Sequence, residues 1–198
     1  MRIGVLALQG AVSEHADRLA SLGAEVALVR RPEQLADLDG LVLPGGESTT
    51  MARLCAQVDL VPALRDRIAD GLPVLGTCAG LVMLADEVRD GAALQGFDRI
   101  GGLPVSVRRN GFGGQLASAE LPLHWSDGGA GSGVFIRAPR IEEVGPGVEV
   151  LARWGDEAVA VRRDRILAAS FHPELSSDTR LHELLCELAT RSMDRLAG

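Results

Sequence analysis

Apolar residues arrive in short continuous runs, and the stretches between them have helical spacing. IGVLAL (3–8), EVALVR (25–30), GLVLPGG (40–46) and PVLGTC (73–78) are runs of the first kind. Three of them are nearly unbroken by polar residues, as a strand covered on both faces requires. SEHADRLASLG (13–23), TTMARLCAQV (49–58) and PALRDRIADG (62–71) place their apolar residues three and four apart, which predicts helices. Ser13 is the expected N-cap of the first and Gly23 its C-terminal stop. This β-α-β-α order predicts an α/β domain with a parallel sheet and helices on both faces.

After Ile100 the pattern changes. LPVSV, LASAEL, GVFIR, VEVLARW, EAVAV and ILAASF are shorter strand-like segments punctuated by Gly, Pro and Asp. They predict antiparallel or mixed pairing. The chain closes with a helix over about 179–196, capped by Ser177 or Asp178, with Leu181, Leu184, Leu185 and Leu188 on one face. Neither a repeat nor a linker interrupts the pattern, so one domain spanning 1–198 is expected.

Composition narrows the function. The 198 residues carry 20 basic and 27 acidic side chains, a net charge of −7. That disfavours nucleic-acid binding, which needs a basic face. The longest uncharged stretch, 71–85, has 15 residues and contains Pro73 and three glycines. It falls short of the ~18 residues of a membrane span, so no membrane partner is expected. The opening MRIGVLALQG lacks a signal-peptide pattern, which predicts a cytoplasmic protein. Three widely spaced cysteines, Cys55, Cys78 and Cys186, predict neither a disulfide framework nor a zinc site. No metal and no cofactor are expected.

One cysteine stands in an unusual context. G-T-C-A-G (76–80) has the form of a nucleophile elbow, a tight strand-to-helix turn. Glycines flank the nucleophile because side chains there would strike backbone. The helix N-terminus favours a thiolate, and its amides can stabilise an oxyanion. The plainer reading of Cys78 is a small core residue after an apolar strand. Cys55 and Cys186 lie inside helical patterns and read as structural.

A thiol nucleophile needs a base. His15 and His182 sit among charged helical residues and are expected to be solvated, whereas His124 reads as a buried, satisfied histidine. His172 follows ILAASF directly, placing it at the carboxyl edge of a strand, where open α/β sheets build their sites. Pro173 favours an extended His172. Glu174 would then point the same way and orient the imidazole. Cys78, His172 and Glu174 are the candidate triad. LPGGEST (43–49) is either an anion site, with Ser48 or Thr49 opening a helix, or a glycine turn with an N-cap.

Together these pieces resemble the class I glutamine amidotransferases. ALQGAVSEH (7–15), LPGGESTTMARL (43–54), RRNGFGGQL (108–116), GVFIRAP (133–139) and FHPELSSDTRLHELL (171–185) narrow the resemblance. They are similar to the family of glutaminase subunits of pyridoxal 5′-phosphate synthases, over nearly the whole chain from Ile3 to about Leu188. The resemblance implies a three-layer, flavodoxin-like α/β fold with a mixed, mostly parallel sheet. It implies hydrolysis of L-glutamine to glutamate and ammonia through a thioester on Cys78. The ammonia would be channelled to a synthase subunit in a large hetero-oligomer. It further implies an oxyanion hole from the Gly46 and Ala79 amides. Glutamine contacts would come from Gly46, Glu47, Ser48, Arg109, Ile136 and Arg137, and Gln9 would couple partner docking to the site. The family pattern RNSFGRQ stands here as RNGFGGQ. Glycines at 111 and 114 predict a more flexible loop with one positive charge fewer, while Arg109 and Asn110 are kept.

Three alternatives stay open. The chain could serve another synthase, such as the one making imidazole glycerol phosphate. It could be an α/β peptidase, which would also use an elbow. It could be a non-catalytic binding module, against which the intact Cys78, His172 and Glu174 argue.

Overall fold

The computed structural model describes residues 1–112 and 118–196, with side chains as far as Arg191. Its centre is a nine-stranded sheet. In chain order the strands are β1 (Arg2–Leu6), β2 (Glu25–Val29), β3 (Gly40–Leu43), β4 (Val74–Thr77), β5 (Ala85–Val88), β6 (Leu103–Arg108), β7 (Ser118–Trp125), β8 (Ala130–Ile136), β9 (Arg140–Val144), β10 (Glu149–Trp154), β11 (Glu157–Arg163) and β12 (Ile166–Ala169). The large sheet runs β2-β1-β3-β4-β12-β11-β10-β7-β8. Its first five strands pair in parallel, and from β12 to β8 every pairing is antiparallel. β5, β6 and β9 form a separate three-stranded sheet. β5 and β9 escape a pattern reading because ADEV and RIEEV are too acidic to form apolar runs.

Helices α1 (Val12–Ser21), α2 (Ser48–Gln57), α3 (Leu60–Ala69), α4 (Ala79–Leu84) and α5 (Arg180–Leu196) complete three layers. Alternation along each central strand divides the core. Leu41 and Leu43 of β3 join the α2, α3 and α4 side, where Met51, Cys55, Leu64 and Leu81 are buried. Val42 points the other way, to α1 and α5, among Leu19, Leu181, Leu185 and Leu188. Both faces of these strands are therefore apolar, which is why their sequences are nearly continuous.

One expected cap differs. Ser13 lies inside α1, one residue past its start, and its hydroxyl bonds Glu14 instead of capping the helix. Ser48 opens α2, as expected, and the N-cap before it is Glu47. Glu47 reaches forward to accept from Thr49 N at 2.9 Å and Thr50 N at 2.6 Å, the role a shorter Ser or Asp usually takes. The expected acceptor Asp178 does receive the Arg180 amide at the start of α5, at 3.1 Å.

Candidate active site

The carboxyl ends of four adjacent parallel strands, β1, β3, β4 and β12, meet at one edge. Each ends in a loop that carries one part of the site. After β4 the chain turns at Cys78, whose φ of 48° and ψ of −100° belong to no regular element. A non-glycine residue in this region is strained, and the surroundings must hold it there. Cys78 N donates to Ala169 O of β12 at 2.8 Å, and Cys78 O accepts from Val82 N at 3.3 Å. The flanking glycines are required by contact. A β-carbon on Gly80 would stand 2.1 Å from Leu43 O, and one on Gly76 would stand 2.7 Å from Gly80 C. The elbow read from G-T-C-A-G is present, and Ala79 begins α4 directly after the sulfur.

After β12, His172 is tied to β8 by its amide, which donates to Val134 O at 2.8 Å. Its Nδ1 lies 2.7 Å from Glu174 Oε1, and the ring lines the same cavity as Cys78. Burial works against a charge on this ring, but Cys78 and Glu174 outweigh it and lift the His172 pKa to about 10. The His172–Glu174 geometry has a different cause from the extended i, i+2 arrangement expected. Residues 173–175 form a single 3-10 turn with His172 at its N-cap, and this turn folds Glu174 back against the ring.

After β3, Gly45 and Gly46 are also fixed by contact. A β-carbon on Gly46, at φ +150°, would lie 2.3 Å from Gln9 Oε1. That same Gln9 oxygen accepts from Glu47 N at 3.1 Å. Gln9, on the loop after β1, therefore braces the glycine loop. Gly10, at φ +92°, lets the two loops touch, with Ala11 N donating to Gly45 O at 3.2 Å.

These loops surround a cavity of about 210 Å³. That is below the ~300–1,000 Å³ of sites for drug-sized ligands and suits a small polar molecule. Gly46, Glu47, Ser48, Cys78, Ala79 and His172 form one wall. Arg109, Asn110, Ile136, Arg137 and Pro139 form the other. Every residue carried over by resemblance to glutamine contact or the oxyanion hole thus borders one cavity. Arg109 Nη2 lies 3.1 Å from Glu47 Oε1, while its amide donates to Asp90 at 2.8 Å. Arg137 holds a φ of +43° at the rim. Partial burial opposes the charge on Glu47, but the Thr49 and Thr50 donors outweigh it and bring its pKa down to about 2. Among the described residues no group of three His, Cys, Asp or Glu side chains is placed to hold a metal ion.

The loop expected to be loosened by glycine is close-packed at its first position. A β-carbon on Gly111 would stand 2.4 Å from Arg140 Cβ, and the Gly111 amide donates to Ala138 O at 3.1 Å. Gly114 lies outside the described residues.

Three histidine expectations are corrected. His15 and His182 are buried, not solvated, because α1 and α5 turn them inward against each other. His15 Nδ1 lies 2.9 Å from His182 Nε2. His124 is exposed rather than buried, being on the outer face of β7. The charged residues around His15 and His182 masked an apolar-face position in each helix.

A family model described as the SNO glutamine amidotransferase family matches residues 5–191. A protein of Parafrankia sp. (strain EAN1pec), named pyridoxal 5′-phosphate synthase subunit PdxT, is 56% identical over 199 residues, covering 100% of this chain and 97% of the relative. A protein of the same name from Leifsonia xyli subsp. xyli (strain CTCB07) is 54% identical over 185 residues, covering 92% of each. A crystal structure of a glutamine amidotransferase superposes with a TM-score of 0.89 at 46% identity, covering 95% of this chain and 98% of that one.

Proposed function

Because the chain belongs to the SNO glutamine amidotransferase family, we propose that it hydrolyses L-glutamine to L-glutamate and ammonia as the glutaminase subunit of a pyridoxal 5′-phosphate synthase. Residues 1–198 act as one glutaminase domain. The observation that carries this reading is that Cys78 and a His172 hydrogen-bonded to Glu174 border one small cavity at the sheet's carboxyl edge.

The chemistry follows from the geometry. Cys78 Sγ attacks the side-chain amide carbon, and its proton resides on His172. The carbonyl oxygen gains charge and is held by the Gly46 and Ala79 amides. His172 then protonates the departing nitrogen, which leaves as ammonia, and a γ-glutamyl thioester remains on Cys78. His172 takes a proton from water, which attacks the thioester and releases glutamate. Glu174 keeps the imidazole oriented and supports its positive form. Gly46, Glu47, Ser48, Arg109, Ile136 and Arg137 hold the substrate; the Arg109–Glu47 pair supplies opposite charges for its α-carboxylate and α-ammonium groups.

The partner is the synthase subunit, which receives the ammonia within a large hetero-oligomer, and Gln9 links docking to the oxyanion loop. Its contact with Glu47 N and Gly46 supports that role. The complex acts in the cytoplasm; among the described residues no helix is long and apolar enough to cross a membrane.

Glutamate release is to be measured with the chain alone, with the pyridoxal phosphate synthase subunit, and with the imidazole glycerol phosphate synthase subunit. Release stimulated by the first partner alone supports the assignment. Stimulation by the second alone would redirect it, and peptide cleavage without glutaminase activity would contradict it.

A further inference from the structure

The reaction above uses one oxygen of Glu174, and the other belongs to a second buried polar line. Glu174 Oε2 lies 3.2 Å from His15 Nε2, and both side chains are wholly excluded from solvent. The approach is off axis, and Oε2 has no hydrogen-bond partner among the described residues. His15 Nε2 is also 3.1 Å from Oγ1 of Thr77, the residue before the nucleophile. On its far side His15 Nδ1 is 2.9 Å from His182 Nε2, and His182 Nδ1 has no partner.

Two proton arrangements fit these distances. In one, His15 carries its proton on Nδ1 and donates to His182. A bare His15 Nε2 lone pair then faces a carboxylate oxygen, and His182 is left with a buried, unpaired N–H. In the other, His182 Nε2–H donates to His15 Nδ1. The His15 Nε2–H then bonds Thr77 Oγ1 and lies close to Glu174 Oε2 without aligning on it, and His182 is left with only a bare nitrogen. Lone-pair repulsion and an orphaned donor both count against the first arrangement. The second turns the positive N–H edge of the ring, 3.2 Å away, toward a buried carboxylate oxygen that has no hydrogen-bond partner.

We propose that His15 is a positioning residue for the glutaminase reaction: its Nε2–H, fixed in that tautomer by His182, holds the Glu174 oxygen turned away from His172. This rests on the glutaminase reading and deepens it. A carboxylate held at both oxygens cannot swing away from His172, so the nucleophile's base stays aligned through helix α1. His15 serves this purpose uncharged, since a second imidazolium would compete with His172 for one carboxylate. The groups facing it are His182 from α5 and His172 and Glu174 from the segment after β12, with Arg18 of α1 near His182. Burial, then the two histidines, hold the His15 pKa well below its ordinary value.

The test compares His15→Leu, which removes the donor, with His15→Gln, whose amide N–H reaches the same place. Both are assayed as the complex with the synthase subunit. His15→Leu should lower kcat about 10- to 100-fold, as loss of outer-shell partners does elsewhere, with KM for glutamine within roughly twofold. His15→Gln should recover most of the rate. The rate of Cys78 alkylation by iodoacetamide at pH 7, which needs no glutamine, should fall in His15→Leu as His172 loses its alignment with the thiol. Unchanged kcat and alkylation in His15→Leu, or a His15→Gln variant as impaired as His15→Leu, would overturn the proposal. Should His15→Leu not fold, His182→Phe decides: a kcat loss at constant KM supports the relay, and a wild-type kcat overturns it. A wild-type complex without glutaminase activity would instead overturn the functional reading, and alkylation would still read the effect of His15.

Discussion

The ring of His172 lies so close over Gly45 that a β-carbon on that glycine would stand 2.3 Å from Cε1 and 2.7 Å from Nδ1. Nδ1 is the atom bonded to Glu174. A methyl group at residue 45 must therefore displace the base from its carboxylate. Gly45→Ala should lower kcat about 100-fold, the cost of a displacement near 1 Å at a reacting group. Far-ultraviolet circular dichroism should be unchanged. Activity near wild type would mean that the ring has room the structure does not show.

Two sets of buried histidines set opposite slopes in the stability–pH curve. His172 is raised from 6.5 to about 10, so its protonated form stabilises the fold fully below pH 6.5. That contribution is lost as pH rises towards 10. His182 is lowered to about 4, by burial and then by Arg18, and His15 is lowered well below 6.5. The unfolded chain binds protons at these two positions first, so they destabilise the fold as pH falls below 6.5. His182 alone accounts for about 3 kcal/mol by pH 4. Stability measured by urea unfolding should peak near pH 6.5. His182→Phe should flatten the acid side, and His172→Gln the alkaline side.

Glu47 does two jobs at one place, capping α2 through Thr49 and Thr50 and pairing with Arg109 beside the cavity. Glu47→Ala should cost about 0.5–2 kcal/mol of stability, the usual range for a lost N-cap. It should also raise KM for glutamine more than it lowers kcat. Glu47→Gln keeps an acceptor for the cap and loses the charge. It should restore stability while leaving KM high, which separates the two jobs.

Only one of the three thiols sits beside an imidazolium. Burial pushes the Cys55 thiol up to about 12, and burial followed by Glu183 raises that of Cys186. Iodoacetamide at pH 7 should therefore modify the native protein at Cys78 first, to about one equivalent. Peptide mapping reads the site. His172→Ala should abolish the preference, and equal labelling of Cys186 would contradict it.

The parallel half of the fold was legible because buried strands demand continuous apolar sequence, as in GLVL of β3 and VLGT of β4. The elbow was legible for a related reason: Gly76 and Gly80 face backbone, and no other residue fits. Acidic strands β5 and β9 hid their pairing, since each has exposed residues on both faces and so no continuous apolar run. The His15–His182 contact was hidden more deeply. It joins residues 167 apart through two helices, and each histidine stands among charges in the sequence. A charged neighbourhood along the chain says little about a helix whose opposite face is buried. Helical spacing could have signalled it: His15 lies four residues before Leu19, and His182 follows Leu181 and precedes Leu185 on the apolar face of α5.

The proposed reaction turns on covalent acylation of Cys78 by glutamine under the control of His172 and Glu174. Rapid acid quenching of the complex with its synthase subunit and excess L-glutamine, followed by peptide mass spectrometry, tests it directly. One γ-glutamyl group should appear on the peptide carrying Cys78, formed before steady-state ammonia release and absent in Cys78→Ser and His172→Ala. Turnover with no adduct at Cys78, or with an adduct at Cys55 or Cys186, would contradict it.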